Sequence, residues 1–223
     1  MFSLQNIQEI IAVTLLFFAY IFSITISGNI QAYIAKKCGD STAADNGFTE
    51  FNPFLFINLF DISWFLISQR VFGQPIMIGR PVPLELRHGI DRRHRWWRAR
   101  VFLIFASRSI CNIAIAVIAK TVASLFLNVT SVSEVSISFL LGLFCFALVM
   151  ANLFLATFEC CRQAIHFFIL YRLEKDFRFI EYADYILVLG PLVLWLFFGQ
   201  TITSAFNYGI DCLVLGVTKV CGV

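Results

Sequence analysis

Long apolar runs, separated by short polar or basic ones, set the reading of this chain. A helix needs about 20 apolar residues to cross the hydrocarbon of a bilayer, and runs of that size recur here. Residues 7–35 form the first, ending at Lys36-Lys37, which suit both a helix C-terminus and a membrane interface. Residues 51–72 are apolar but interrupted by Asn52, Pro53, Asn58, Asp61 and Ser63, so they either cross or re-enter. Re-entry, buried in protein, keeps the flanking basic clusters on one side. Residues 73–100 read as a basic interfacial loop, with a short extended piece at Gly79-Arg80-Pro81-Val82-Pro83-Leu84, because proline fixes φ and biases its predecessor towards β. Helices are expected over 101–127 and 136–157, the latter continuing into a polar-faced stretch at 158–178. A final hairpin, 180–198 and 200–218, follows. The expectation is a single all-α polytopic membrane domain over residues 1–223, with five to six transmembrane or re-entrant helices.

Composition agrees. Of 223 residues, 59% are hydrophobic and 14% charged, with 26 Phe and a mean hydropathy of +0.81. A soluble domain carries roughly a quarter charged residues. The net charge of +3 matters less than its placement. Seven Arg lie between Arg80 and Arg100 and four basic residues between Arg162 and Arg178, whereas the connection at 128–135 has none. This alternation places the basic loops and the C-terminus on the cytoplasmic, or equivalent inner, side and the N-terminus outside. The start of the chain lacks the basic region of a signal peptide and its apolar stretch is too long for one, so it is expected to be retained. The seven Cys are scattered without a C-x-x-C and fit apolar packing better than a disulfide framework.

One stretch carries more than hydropathy. From Ser23 to Pro53 an apolar helix leads into Gly39-Asp40-Ser41-Thr42-Ala43, then Gly47, then Asn52-Pro53. In that order and register it resembles the site-2 protease family of intramembrane zinc metalloproteases, whose helical H-E-x-x-H-A precedes G-D-x-T-A and G-x-x-x-x-N-P. Weaker likenesses follow: Arg80-Pro81-Val82-Pro83-Leu84 to K-P-V-P-V, Arg108 to Asn112 to G-P-x-x-N, Asn152 to Cys161 to N-L-L-P-I-P-P-L-D-G, and Leu173 to Leu196 to a late L-E-x-Y-G-F-L-I-L helix.

The resemblance implies a site-2-protease-like core and places the degenerate catalytic positions. The two zinc-binding histidines fall on Ser27 and Gln31, the general base on Gly28 and the third ligand on Cys160, with Glu159 beside it. Histidines at i and i+4 would share one helix face and hold a zinc whose bound water a glutamate deprotonates. Ser27 and Gln31 keep that spacing without being useful ligands, and Gly28 has no side chain. In the element resembling N-P-L-x-H-I-D, the His is Phe56 and the Asp is Asn58. No catalytic residue, bound metal or cofactor is expected.

Other residues invite a sharp and a bland reading. Ser27, Gly28 and Gln31 form a polar binding patch or, the preferred reading, pack helices. Arg108, inside an expected crossing, either fills the vacated site and pairs with Glu159 or Asp61, or snorkels to the interface. Glu159, Cys160, Cys161 and His166 are ligand types for a replacement metal site, but lie on adjacent turns of one segment. Arg92, Arg93, Arg95, Trp96, Trp97, Arg98 and Arg100 read as an anchor for lipid headgroups rather than a nucleic-acid strip.

The expected function is therefore that of a pseudoprotease: a structural or accessory subunit that binds transmembrane helices of a larger hetero-oligomeric membrane complex. Its partners would be other transmembrane proteins and membrane lipids, with no nucleic acid. The alternatives are a regulator that shelters clients from intramembrane proteolysis, a divergent metalloprotease with relocated ligands, and a small transporter or channel subunit using Arg108, Asn112, Gln200, Asn207 and Asp211.

Overall fold

A computed structural model describes residues 4–72, 76–85, 95–129 and 137–172, with the single positions 201 and 204. The described residues are helical or irregular, with no strand among them. Helix α1 spans Leu4–Cys38, α2 Thr42–Asp45, α3 Leu59–Phe72, α4 Trp97–Val129 and α5 Ile137–Arg172, with a 3-10 turn at Pro53–Leu55. Three segments are long and apolar enough to cross a membrane: Ile10–Cys38, Trp97–Ser124 and Leu140–Gln163. The stretches 136–157 and 158–178 thus share one continuous helix as far as Arg172. The expected helices at 180–198 and 200–218 lie outside the described residues.

The three long helices pack on one another. Helices α4 and α5 share the broadest interface, and α1 lies against both. At one end of the bundle Ala35 and Cys38 of α1 meet Val101 and Ile104 of α4, so these two helices are antiparallel. Farther along, Asn152 of α5 donates to Ser23 Oγ at 2.7 Å and the Phe154 ring meets Tyr20. With Phe144 of α5 beside Leu15, Phe18 and Phe22 and Asn152 beside Ser23, α5 runs parallel to α1.

The intervening chain travels along α1 and comes back. Gly39, at φ +111°, ends α1 in a left-handed turn open to glycine. Phe48 O then accepts from Asn29 Nδ2 at 3.3 Å, Phe56 lies over Gly28, and Phe65 of α3 packs edge-on to Phe17 and Tyr20. Helix α3 is 14 residues, about 21 Å, which is short of a full crossing. The return begins where Ile76 N–H donates to Ser68 Oγ at 2.8 Å. Residues 76–85 run without regular structure, and their backbone bonds go to side chains and loops instead of a ladder: Arg80 N–H to Phe56 O at 2.7 Å and Glu85 N–H to Asp40 Oδ2 at 2.9 Å. A Cβ added at Gly79 would lie 2.6 Å from Ile24, the midpoint of the Ile10–Cys38 segment. Gly79 therefore packs at mid-length of α1, and Glu85 lies beside Asp40 at its C-terminal end.

Asp40 closes this excursion. Its buried carboxylate accepts Thr42 N–H at 3.0 Å on one oxygen and Glu85 N–H, from a residue 45 positions along the chain, at 2.9 Å on the other. Bonds to an ionised acceptor are among the stronger ones, and two partly buried backbone bonds depend on this one carboxylate. Asp40→Ala is expected to lower stability by about 2–4 kcal/mol in denaturant unfolding of detergent-solubilised protein, with Asp40→Asn recovering part of the loss.

Candidate functional site

Along α1 the residues Ser23, Ser27 and Gln31 recur every four positions, so they share one face, which is wholly buried. Their polar groups are turned to packing. Ser27 Oγ lies 3.5 Å from Ile24 O in its own helix, and Gln31 Nε2 donates to Ile104 O of α4 at 3.3 Å. Between them Gly28 provides the gap into which Phe56 fits: a Cβ there would sit 2.5 Å from Phe56 Cδ1. Phe56 is fully buried and meets Phe48 edge-on at 5.2 Å. The positions that the resemblance assigns to a zinc-binding helix and its facing loop are thus in contact, and an aromatic ring occupies the space between them.

One turn beyond Ile104 on α4 lies Arg108, 1% exposed. Its Nη1 is 3.0 Å from Oε1 of Glu159 on α5, which is equally buried. The same carboxylate receives Arg162 on its other oxygen, with Nε at 2.9 Å and Nη2 at 2.7 Å. Glu159 is therefore held between two guanidinium groups. The Arg108 contact is short but poorly aligned for a hydrogen bond, and no described residue accepts from its Nε or Nη2. Asn112, one turn farther, is also fully buried without a hydrogen-bond partner among the described residues.

Asp61 adds the fourth charge. It begins α3 by exchanging hydrogen bonds with Asn58, whose N–H donates to Asp61 Oδ2 at 2.9 Å while Asp61 N–H donates to Asn58 Oδ1 at 2.8 Å. Its carboxyl also faces the Gly79 N–H and lies in electrostatic reach of Arg108. Two cations and two carboxyl groups from α3, α4 and α5 thus converge. In low dielectric such an arrangement tolerates loss of a member poorly, because the survivor is left buried and uncompensated.

The structure brings Ser27, Gly28 and Gln31 onto one interior surface and brings Arg108 to Glu159, with Asp61 in electrostatic reach. It does not bring Cys160 to them. Cys160 is exposed, since one residue along a helix rotates a side chain by about 100° and Glu159 takes the inward direction. Cys161 is half-buried, and the side chain of His166 lies outside the described residues. Among the described residues no three His, Cys, Asp or Glu side chains converge as a metal site. The donors present do not fit zinc: a helix-bonded hydroxyl, an amide given to Ile104, a glycine under a phenyl ring and an outward thiol. Arg95, Trp96 and Arg98 are exposed at the start of α4, with Arg95 over the Trp96 ring at 5.7 Å and Arg98 over Trp97 at 5.5 Å. Arg100 is half-buried there, and Arg92 and Arg93 lie outside the described residues.

Sequence reasoning missed two members of the site. Arg162 stands three residues after Glu159, a helical spacing that carries the pairing. The fit of Phe56 to Gly28 had no local signal, because complementarity across 28 positions shows only once both are placed. No family model matches the chain, and neither a curated protein nor a solved structure matches it.

Two substitutions examine this site. Gly28→Ala would ordinarily help a helix, yet here it is expected to cost about 1–3 kcal/mol by overpacking, and combining it with Phe56→Leu should cost less than the sum of the single changes. Arg108→Leu strands Glu159 with Arg162 alone and is expected to cost about 3–5 kcal/mol, most of it recovered when Glu159→Gln is added. Denaturant unfolding in a fixed detergent reads both.

Proposed function

We propose that this chain is a catalytically inactive relative of the site-2 proteases that serves as an accessory subunit, holding transmembrane helices of a larger membrane complex. The observation that carries the reading is the Gly28–Phe56 contact, in which the general-base position of the motif is closed by a side chain from the facing loop. The residues the motif keeps are ones with structural duties here. Asp40 ties two backbones, Asn52 caps the turn at Pro53–Leu55 by accepting Phe54 N–H, and Asn152 joins α5 to α1. Retention of these beside replacement of the zinc and base positions favours a preserved scaffold without its chemistry.

In this reading residues 39–96 re-enter the membrane from one side, and both basic ends face the cytoplasm or its equivalent. Irregular backbone at membrane depth is stable where protein covers it, as α1 covers Gly79 and Phe56. A surface suited to a partner helix lies on the other flank of α1. There Leu15, Phe18 and Phe22 join Phe51 and Phe144 of α5 around an open, wholly apolar groove of about 430 Å³. Helices in hydrocarbon associate through packing, and such a groove offers a shaped surface for it.

Purification from the native membrane in a gentle detergent, reading companion proteins and metal together, tests the proposal. Companion membrane proteins at fixed stoichiometry, with no zinc retained, are expected. A chain that purifies alone with one tightly bound zinc and chelator-sensitive proteolysis would overturn it. Substoichiometric, client-dependent association would favour the sheltering regulator instead.

A further inference from the structure

We infer that the end of α1 and the start of α4 together form one composite binding site for the phosphate headgroup of an anionic phospholipid. Lys36 and Lys37 are about 60 residues away in sequence from Arg98 and Arg100. The packing of Ala35 and Cys38 against Val101, with Trp97 alongside, carries both pairs to the same end of the bundle. Arg100 is near enough for its charge to act on the Cys38 thiol. Lys36, Lys37, Arg95 and Arg98 are exposed.

The two helix ends give these cations unequal support, and Glu85, exposed beside Asp40, is an acidic side chain that shares this end with them. Lys36 and Lys37 suit the negative end of α1. Arg98 and Arg100 stand in the first turn of α4, where the helix dipole is itself positive and no acidic residue is present. Asp40, close by, is buried and engaged with two backbone N–H groups. An arrangement unfavourable for the isolated helix is favourable beneath an anion, since helix N–H groups and guanidinium groups then face it together.

The surroundings specify a lipid rather than a soluble anion. Directly below the cationic rim the side chains facing outward are apolar: Tyr33, with Lys37 over its ring at 5.5 Å, and Phe102, 63% exposed. Trp96, 61% exposed, and Trp97 mark the boundary between the two zones. A ligand with a phosphate above and acyl chains beneath matches both. Because the two basic pairs flank the segment 39–96, a shared headgroup would also clamp the two ends of that excursion. This inference does not depend on the pseudoprotease reading.

The full chain in phosphatidylcholine nanodiscs, with and without added phosphatidylglycerol, provides the test. Phosphatidylglycerol should raise the thermal unfolding midpoint by several degrees. Lys36→Gln with Lys37→Gln should abolish the rise, Arg98→Gln with Arg100→Gln should abolish it equally, and all four together should do no more. Arg70→Gln, on the excursion far from this rim, should leave it intact. Separate, additive partial losses would mean two independent surface anchors and overturn the composite site. So would a rise reproduced by inorganic phosphate or a short RNA in phosphatidylcholine discs. Should the variants not fold, native mass spectrometry of lipids kept by the unmodified chain from mixed discs decides: enrichment of phosphatidylglycerol over the disc composition is expected, and retention in the bulk ratio overturns the inference.

Discussion

Hydrocarbon offers no hydrogen bonds, so any backbone that leaves helical geometry between membrane-length helices must find its partners in protein. In the re-entrant reading, the described part of residues 39–85 meets that constraint mainly through its own residues, with Asn29 of α1 adding one bond. Asn29 answers Phe48 O, Ser68 answers Ile76 N–H, Phe56 O answers Arg80 N–H, and Asp40 answers both Thr42 and Glu85. The same constraint explains the glycines on this route. Gly28 lets Phe56 approach α1, and Gly79 lets the returning strand of chain pass Ile24. Close approach is what allows the excursion to be covered by a single helix.

The ionic cluster obeys the same logic at a higher cost. A lone guanidinium in this position would be expensive to bury, and the attraction of one carboxylate rarely offsets removal of two charges from water. Here Glu159 is shared by Arg108 and Arg162, and Asp61 brings a second carboxyl group from α3. The cluster ties α4 to α5 through Arg108 and Glu159, with Asp61 of α3 in electrostatic reach of Arg108. Such a group is better suited to fixing one arrangement of helices than to adding net stability, since apolar replacements of equal volume often match it energetically.

Much of this was legible in the sequence because it depends on local signals. The membrane-length helices follow from uninterrupted apolar runs, and the ends of α1 and the turn at Pro53 follow from Lys36-Lys37, Gly39 and Asn52-Pro53. The inward direction of Glu159 against Cys160 was not legible from motif spacing, because that spacing comes from the proline-containing N-L-L-P-I-P-P-L-D-G, whereas this chain continues as helix through Arg172. A helix rotates each successive side chain by about 100°, so a register transferred from irregular backbone points the wrong residue inward. The depth of residues 76–85 was equally hidden. Their basic and proline-rich character suits an interface, and only the contact of Gly79 with Ile24 places part of them at the centre of α1.

In the proposed reading, the positions that keep the motif and those that depart from it differ in what they ask of the fold. Asp40 and Asn152 are buried and each satisfies polar groups of other segments, and Asn52, though exposed, caps the turn at Pro53–Leu55, so substitution carries a penalty whatever the protein does. Gly28 and Phe56 face no such demand: their environment is met by packing, and small against large is as good a solution there as any. A scaffold relieved of chemistry would be free to change at the second set and constrained at the first. The Gly28–Phe56 contact goes one step further, because each residue makes the other necessary. With the ring in place, a side chain longer than hydrogen at position 28 cannot be accommodated without moving Phe56, and the polar face of α1 stays closed.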